Sequence, residues 1–313
     1  MTRFVLGRLA WMLVILLAVS FIAFAMMRAL PGDFAIAAAG SQSVAPEVLA
    51  AIRQDLGLDR PLLAQYWVWL GHALLGDLGT SFVTRQPVRP ELLDRLAVTF
   101  QLTLVAAIIS MVMGVATGLA AARMRGAIDW IVRLYNGLML AVPNYVVATL
   151  IVLLFGLYFP QISIFGYTPF LEDPLANIGS LLLPALALAL AVSVTISENT
   201  RAAVLEVANQ DFVMVARAKG LPPGRILRDY LVRNALTPVI TATGLKIAAL
   251  LGGSILVETI FAIPGMGQYL FDSINSRDYP VIQAIVLTAS AIVVVVNTMI
   301  DIAYARVDAR VKL

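Results

Sequence analysis

The sequence contains no cysteine and a single histidine, His72, among its 313 residues. The missing cysteines exclude disulfides, thiol catalysis and thiolate metal sites, and one histidine is too few for a histidine metal cluster. An enzyme made from this chain would depend on carboxylates and hydroxyls alone, and no nucleophile is visibly paired with a base. We therefore expect no catalytic residue, no metal site and no cofactor of its own.

Charge is also scarce, because only 13% of the residues are charged while 60% are hydrophobic. This balance is far from that of a soluble domain and predicts a body embedded in a lipid bilayer. The net charge of +3 arises from basic residues in short segments between apolar runs. That placement indicates membrane topology and argues against a nucleic-acid partner.

Six apolar runs have the length that a membrane-spanning helix needs, which is about 20 residues. They cover residues 9–27, 96–122, 134–171, 174–197, 238–257 and 279–300. The fifth of them is interrupted by Lys246. The first run is too long for the apolar part of a signal peptide, so we expect an uncleaved first helix. The sequence predicts an all-α integral membrane protein with six transmembrane helices.

Lysine and arginine are distributed unevenly between the two sides of this predicted bundle. With the N-terminus inside, the inner segments hold Arg3, Arg8, Arg123, Arg125, Arg133, Arg201, Arg217, Lys219, Arg225, Arg228, Arg233, Arg306, Arg310 and Lys312. The short outer connections, 160–174 and 258–278, hold Arg277 alone. Because positive residues favour the cytoplasmic side, both termini are predicted to be cytoplasmic in a multi-pass inner-membrane protein.

The first outer connection, residues 31–95, is long enough to have structure of its own. Apolar and aromatic residues recur in it at helical spacing from Leu62 to Leu70, and Pro61 stands where a helix could begin. We predict an external helical hairpin that lies on the membrane surface.

The connection between the fourth and fifth predicted spans contains an amphipathic segment. The pattern predicts a short helix over residues 211–219, stopped by Gly220 and Pro222 and followed by a second helix that enters the membrane. One face of the first helix carries Phe212, Val215, Ala216 and Lys219. Periodicity alone leaves two interpretations open: a helix that fills a groove on a soluble partner, or one that rests on lipid headgroups.

Two strings in this segment resemble the EAA loop of ABC importer permeases, in the form typical of the dipeptide and oligopeptide permease family. They are Ala216-Arg-Ala-Lys-Gly-Leu221 and Arg233-Asn-Ala-Leu-Thr-Pro238. Met214 replaces the family-wide glutamate, and Gly220 lies further from Pro238 than in the general consensus. Both departures are characteristic of the peptide branch and narrow the assignment.

Further strings match the same branch over nearly the whole chain. They are Leu30-Pro-Gly-Asp33, Leu56-Gly-Leu-Asp-Arg-Pro61, Gly76-Asp-Leu-Gly-Thr-Ser81, Glu258-Thr-Ile-Phe-Ala-Ile-Pro-Gly-Met-Gly267 and Arg277-Asp-Tyr-Pro280. Each is short, but together they occur in the right order and on the predicted sides of six helices.

The resemblance implies a type I ABC importer permease fold in which residues 1–313 form one transmembrane domain. It implies an extracytoplasmic loop at 31–95 and a cytoplasmic coupling loop at 198–237. The sequence has no Gly-x-x-x-x-Gly-Lys-Ser/Thr string and therefore no P-loop. The partners implied by the family are two ATPase subunits that bind ATP and Mg, a second homologous permease subunit and an extracytoplasmic substrate-binding protein.

The resemblance also assigns candidate site residues to the two sides of the membrane. Those that would couple to an ATPase are Phe212, Val215, Ala216, Arg217, Ala218, Lys219, Gly220, Leu221 and Pro222. Those that would form an external gate or meet the binding protein are Asp33, Asp77, Phe261, Pro264 and Gly265.

Polar residues inside the apolar runs are candidates for the solute path, because they are costly in lipid. They are Asn144, Ser193, Ser197 and Lys246. Lys246 could line the path, pair with Glu198 or Asp301, or extend toward the cytoplasm. Helix packing is an alternative role for both serines, and it is the role expected for Gly114 and Gly118.

The predicted function is import of peptides or peptide-like solutes driven by ATP. The same architecture also serves nickel chelates, glutathione or opine-like compounds in members that resemble this chain. An ion-driven secondary transporter is a further alternative, and it predicts paired inverted repeats and membrane-buried carboxylates. Neither feature is visible in the sequence.

Overall fold

The computed structural model describes residues 2–29, 34–39, 45–124 and 126–307, and their side chains except at 2–5, 236–238, 240–249, 251 and 300–307. Within these ranges the secondary structure is helical, apart from one isolated bridge between Thr80 and Pro87. The helices are α1 (Thr2–Ala29), α2 (Phe34–Ala39), α3 (Pro46–Asp55), α4 (Leu62–Leu74), α5 (Val88–Arg123), α6 (Ala127–Ala141), α7 (Asn144–Tyr158), α8 (Pro174–Ala208), α9 (Asp211–Ala218), α10 (Pro223–Arg225), α11 (Arg233–Phe261), α12 (Met266–Ser276) and α13 (Tyr279–Val307). A π-helical segment, Ile226–Val232, joins α10 to α11.

Four continuous helices in the described part of the chain are long and apolar enough to cross a membrane: Leu6–Ala29, Val88–Arg123, Pro174–Ala208 and Tyr279–Met299. Two bent helix pairs bring the number to six if each pair is one span: Ala127–Ala141 with Asn144–Tyr158, and Gly252–Phe261 with Met266–Ser276. The all-helical membrane fold expected from the sequence is confirmed.

The apolar run at 134–171 differs from the single span that its composition predicts. The chain breaks between α6 and α7 with a bend of 104°, and α7 already ends at Tyr158. Proline has no amide hydrogen and disfavours helical geometry at the residue before it. Accordingly Val142 is extended at φ −99° and ψ 120°, and Pro143 caps the new helix.

The helices that begin cleanly do so at residues with a clear physical reason. Asp173 caps α8 by accepting hydrogen bonds from the backbone amides of Leu175 and Ala176, and Pro174 occupies the first helical position. Pro61 caps α4, as the sequence predicted. Residues 31–95 therefore contain helical structure, although α5 already begins at Val88. The position of this loop on the membrane surface stays a prediction.

The chain divides into two compact units. The first contains residues 1–99 and 264–313, and the second contains residues 100–263. In the first unit α1 packs along α13, while α12 packs on α13 and α4 on α1. Its largest buried apolar cluster joins the start of α5 to α12 and α13 and consists of Val88, Leu92, Met266, Val281, Ala284 and Ile285.

The second unit is built around the pairing of α8 with α11, and α7 packs on both of them. Its buried cluster near the end of α8 consists of Ile196, Ala203, Val204, Ala235 and Val239. Large apolar side chains are also exposed along the long helices, for example Trp11 on α1 and Val112 on α5. Such outward-facing apolar side chains suit a lipid environment.

Candidate functional site

The turn after α9 is fixed by backbone hydrogen bonds. The Gly220 amide donates to the Arg217 carbonyl at 2.9 Å, and the Leu221 amide donates to the Ala216 carbonyl at 3.3 Å. These two bonds form a Schellman motif, which requires a left-handed residue after the helix. Gly220 supplies it with φ +73°, and a Cβ at this position would meet open space. A side chain at 220 is thus opposed by backbone strain and not by crowding.

The inner face of α9 packs on the segment that follows the turn. Val213 and Ala216 are buried and form a cluster with Ile226, bordered by Leu221 and Leu231. Because Ala216 points into this cluster, it does not share the exposed face that the sequence assigned to it. Helical spacing places Ala216 at the edge of that face, and the packing of α9 on the π-helical segment decides its direction.

The outer face of α9 is exposed although it is partly apolar. Phe212 is 44% exposed and Val215 is 52% exposed. The Phe212 ring also stacks on Tyr230, with the ring centroids 6.4 Å apart. Arg217, Ala218, Lys219, Gly220 and Pro222 are exposed next to them, and Leu221 is half-buried. We call Phe212, Val215, Arg217, Lys219 and Gly220 the α9 surface.

A small ionic group lies beside this surface on the π-helical segment. The Arg228 guanidinium donates a hydrogen bond of 2.7 Å to Asp229, and Arg225 lies 3.6 Å from the same carboxylate. The bond from Arg228 lowers the pKa of the Asp229 carboxyl and raises the pKa of the arginine. Single stretches of π-helix often occur at functional sites.

A second ionic group joins α6 to α8, and sequence reasoning missed it. Asp129 accepts a hydrogen bond of 2.9 Å from Arg201 Nε and lies 3.1 Å from Arg133 Nη2. The Asp129 side chain is only 14% exposed. The positive segments used to orient the chain contain both arginines, but their shared carboxylate is a tertiary feature.

The two candidate path serines are buried against α5. Thr117 donates a hydrogen bond of 3.0 Å to Ser197, and Ser193 lies 3.4 Å from the Tyr135 hydroxyl. A Cβ on Gly114 would lie 2.5 Å from Ile196 Cβ, and one on Gly118 would lie 2.5 Å from the Ser197 carbonyl oxygen. The structure confirms the packing role expected for both glycines and places both serines at the same contact.

The other two candidate path residues have different outcomes. Asn144 is half-buried as the first residue of α7, and its amide nitrogen lies close to Gly253 on α11. Lys246 belongs to α11, but its side chain lies outside the described residues, as does that of Asp301. Glu198 is exposed on α8.

In the first unit, two of the recognised strings meet at a buried carboxylate. Asp278 is 3% exposed, accepts a hydrogen bond of 2.5 Å from the Ser81 hydroxyl and accepts another of 3.0 Å from the Phe82 amide. Next to it, the rings of Phe34 and Tyr279 stack with centroids 5.1 Å apart. Sequence reasoning quoted both strings but missed their pairing, for which it contained no signal.

The candidate external gate residues are not brought to one place. Asp33 lies outside the described residues. Asp77 is exposed and lies 3.2 Å from His72 Nδ1. Phe261 is fully buried at the end of α11, where Ala262 adopts φ +54°. Gly265 is buried at the start of α12, and Pro264 before it is half-buried.

Comparison with known protein families gives two matches that together cover almost the whole chain. The model described as "Binding-protein-dependent transport system inner membrane component" matches residues 110–313. The model for the N-terminal region of such membrane components matches residues 1–103.

Similar curated proteins match over their full length. A protein of Brucella abortus (strain 2308), provisionally named a peptide transport system permease protein, is 39% identical over 100% of this chain and 99% of its own length. The glutathione transport system permease protein GsiC of Salmonella typhimurium is 37% identical over 100% of this chain and 99% of its own length.

One solved structure shares the fold at low sequence identity. It is an amino acid ABC transporter crystallised with histidines, and it is 19% identical with a TM-score of 0.52. The match covers 69% of this chain and 94% of that chain.

Proposed function

Because this chain belongs to the family of binding-protein-dependent transport system inner membrane components, and so is a multi-pass permease subunit of an ABC importer, we propose that it moves peptides or peptide-like solutes inward. A permease subunit provides the route for the solute and is not itself the catalyst. The finer points below concern the solute, the energy source and the partners.

The proposed solute class rests on full-length relatives. One is provisionally named for peptide transport and another for transport of glutathione, which is itself a short peptide. Nickel chelates and opine-like compounds are the alternatives within the same architecture. A binding protein outside the membrane would deliver the solute and thereby select it.

The proposed energy source is a pair of partner ATPases that bind ATP and Mg. The absence of a P-loop string from the sequence supports a separate motor. A second homologous permease would complete the pore. We further propose that both termini and residues 198–237 face the cytoplasm while residues 31–95 face outside, because arginine and lysine are concentrated on the inner side.

The observation that carries the coupling proposal is the two-sided character of α9. Val213 and Ala216 fasten the helix to its own chain, while Phe212 and Val215 stay exposed on its other side. A short helix with exposed apolar residues and cations near its end is suited to a groove on a soluble protein. The Schellman turn at Gly220 fixes the direction in which this helix projects.

Reconstitution with the partner subunits in nanodiscs tests the coupling role. Arg217→Glu and Gly220→Leu should each abolish most of the solute-stimulated ATP hydrolysis, the first by reversing a charge on the α9 surface and the second by straining the turn. Gly137→Leu is the matched control, because Gly137 is an exposed helical glycine on α6 with open space around it. Hydrolysis at the unaltered level in both α9 variants would refute the proposal.

A further inference from the structure

A cavity of about 680 Å³ lies in the first unit, among α1, α3, the segment before α5 and the start of α13. Its walls include Arg28, Phe34, Asp55, Trp69, Phe82 and Gln283. Sites for small molecules have similar volumes and combine apolar walls with a few polar groups. The family comparisons assign no role to this cavity.

Arg28 is held rigidly at the wall of the cavity. Its Nε donates a hydrogen bond of 3.1 Å to the side-chain oxygen of Gln65. Its guanidinium carbon lies 3.9 Å from the ring centroid of Phe34 and 4.9 Å from that of Phe24. A guanidinium placed between two aromatic rings is stabilised by cation–π attraction and keeps its planar orientation.

Two donors at this wall are left unused within the described part of the chain. Arg28 Nη1 is buried without a hydrogen-bond partner there, and so is Gln283 Nε2. Gln283 as a whole is only 4% exposed. A buried donor without an acceptor costs about 1–3 kcal/mol, so two of them at one cavity indicate a group that is bound there.

The chemistry of these donors selects the ligand. Arginine presents paired N–H groups that match a planar carboxylate, and a neighbouring amide N–H completes the acceptor set. The aromatic rings of Phe34, Trp69 and Phe82 suit an apolar side chain, while Asp55 can accept an ammonium group. We propose that this cavity binds the carboxylate of a small amphipathic molecule the size of an amino acid or a dipeptide.

Ligand-observed NMR on the purified full-length chain in nanodiscs tests the site without any ATPase or binding protein. Glycyl-leucine should bind, and its C-terminal amide should bind about tenfold more weakly, because the amide has lost the charge-assisted bonds. Arg28→Gln and Gln283→Leu should each weaken the binding of glycyl-leucine by about the same factor. Arg60→Gln is the matched control, because Arg60 is exposed in the same external segment and does not line the cavity.

Each other result overturns the proposal. The outcomes against it are absence of glycyl-leucine binding, equal binding of the acid and the amide, and equal competition by inorganic phosphate. If Arg28→Gln lowers the thermal stability of the chain, Gln283→Leu carries the test, because it removes one donor and keeps the charge. This outcome does not depend on the coupling role of α9, which the measurement does not involve.

Discussion

Two glycines on α5 let that helix lie against α8 at backbone distance. At Gly118 an added Cβ would meet the Ser197 carbonyl oxygen at 2.5 Å and Thr200 Cβ at 2.7 Å. Backbone atoms cannot rotate away as a flexible side chain can, so the helices would have to separate. Small residues at such spacing allow close helix packing in membranes, where water does not drive association.

We predict that Gly118→Ala destabilises the protein by about 1–3 kcal/mol through overpacking. Alanine is otherwise the better helix former by about 1 kcal/mol, so a loss cannot come from local propensity. Thermal unfolding in detergent measures the effect as a lower Tm. Gly137→Ala on α6 has open space around it and should keep or raise the Tm. Equal behaviour of the two variants would contradict the close contact.

Buried polar pairs at this scale also hold distant parts of the first unit together. The Asp278 carboxylate receives the Ser81 hydroxyl and the Phe82 amide, and the Ser20 and Tyr66 hydroxyls meet at 2.8 Å. A buried polar group is tolerated only when it has a partner, so each such pair fixes which segments lie side by side.

Among the elements, α9 carries two different surfaces on eight residues. Its buried side is structural, since Val213 is fully buried and Ala216 is 3% exposed. Its exposed side is the part available to a partner. The proposed coupling role therefore separates from the fold by substitution at neighbouring positions of one helix.

We predict that Val213→Asp lowers the Tm, because it buries a charge without a partner. Val215→Asp should leave the Tm of the chain unchanged, since Val215 is half exposed, and should reduce ATP hydrolysis in the assembled complex. Thermal unfolding of the chain and hydrolysis by the complex give the two readouts. Val215→Asp with full hydrolysis would show that this face does not meet the motor.

The break between α6 and α7 belongs to the same scale. Composition describes residues 134–171 as one apolar run, and the local rule for the residue before proline gives the place of the break. That rule does not give the angle of 104°, because the packing of α7 on α8 and α11 sets its direction.

For the whole molecule, the arrangement of its parts across the membrane is the property on which the proposed function depends. The six apolar runs and the inner excess of arginine predict one topology, with both termini and α9 inside. The absence of cysteine from the sequence makes this topology easy to probe, because any introduced cysteine is the only thiol.

We predict that intact cells expose Asp59→Cys and Glu172→Cys, but not Ala218→Cys, to a membrane-impermeant maleimide. All three positions are exposed in the structure, so only the membrane side should decide the labelling. Permeabilised cells provide the control, in which Ala218→Cys should react as fast as the others. Labelling of Ala218→Cys from outside would overturn the topology and the coupling proposal together.

The sequence by itself determined the features that depend on neighbouring residues. Apolar run length gave the membrane class, Pro61 and Gly220 gave a helix start and a helix end, and the strings around Gly220 gave the family. Capping, left-handed turns and insertion into lipid act over a few residues or over one helix, so the order of the residues suffices.

Only the tertiary structure decided which residues meet. It paired Ser81 with Asp278, joined Asp129 to Arg201, turned Ala216 inward and placed Arg28 and Gln283 at one cavity. These contacts join segments far apart in the chain or choose one side of a helix edge. Packing in three dimensions settles them, because hydrogen bonds and van der Waals contacts act through space over a few ångströms.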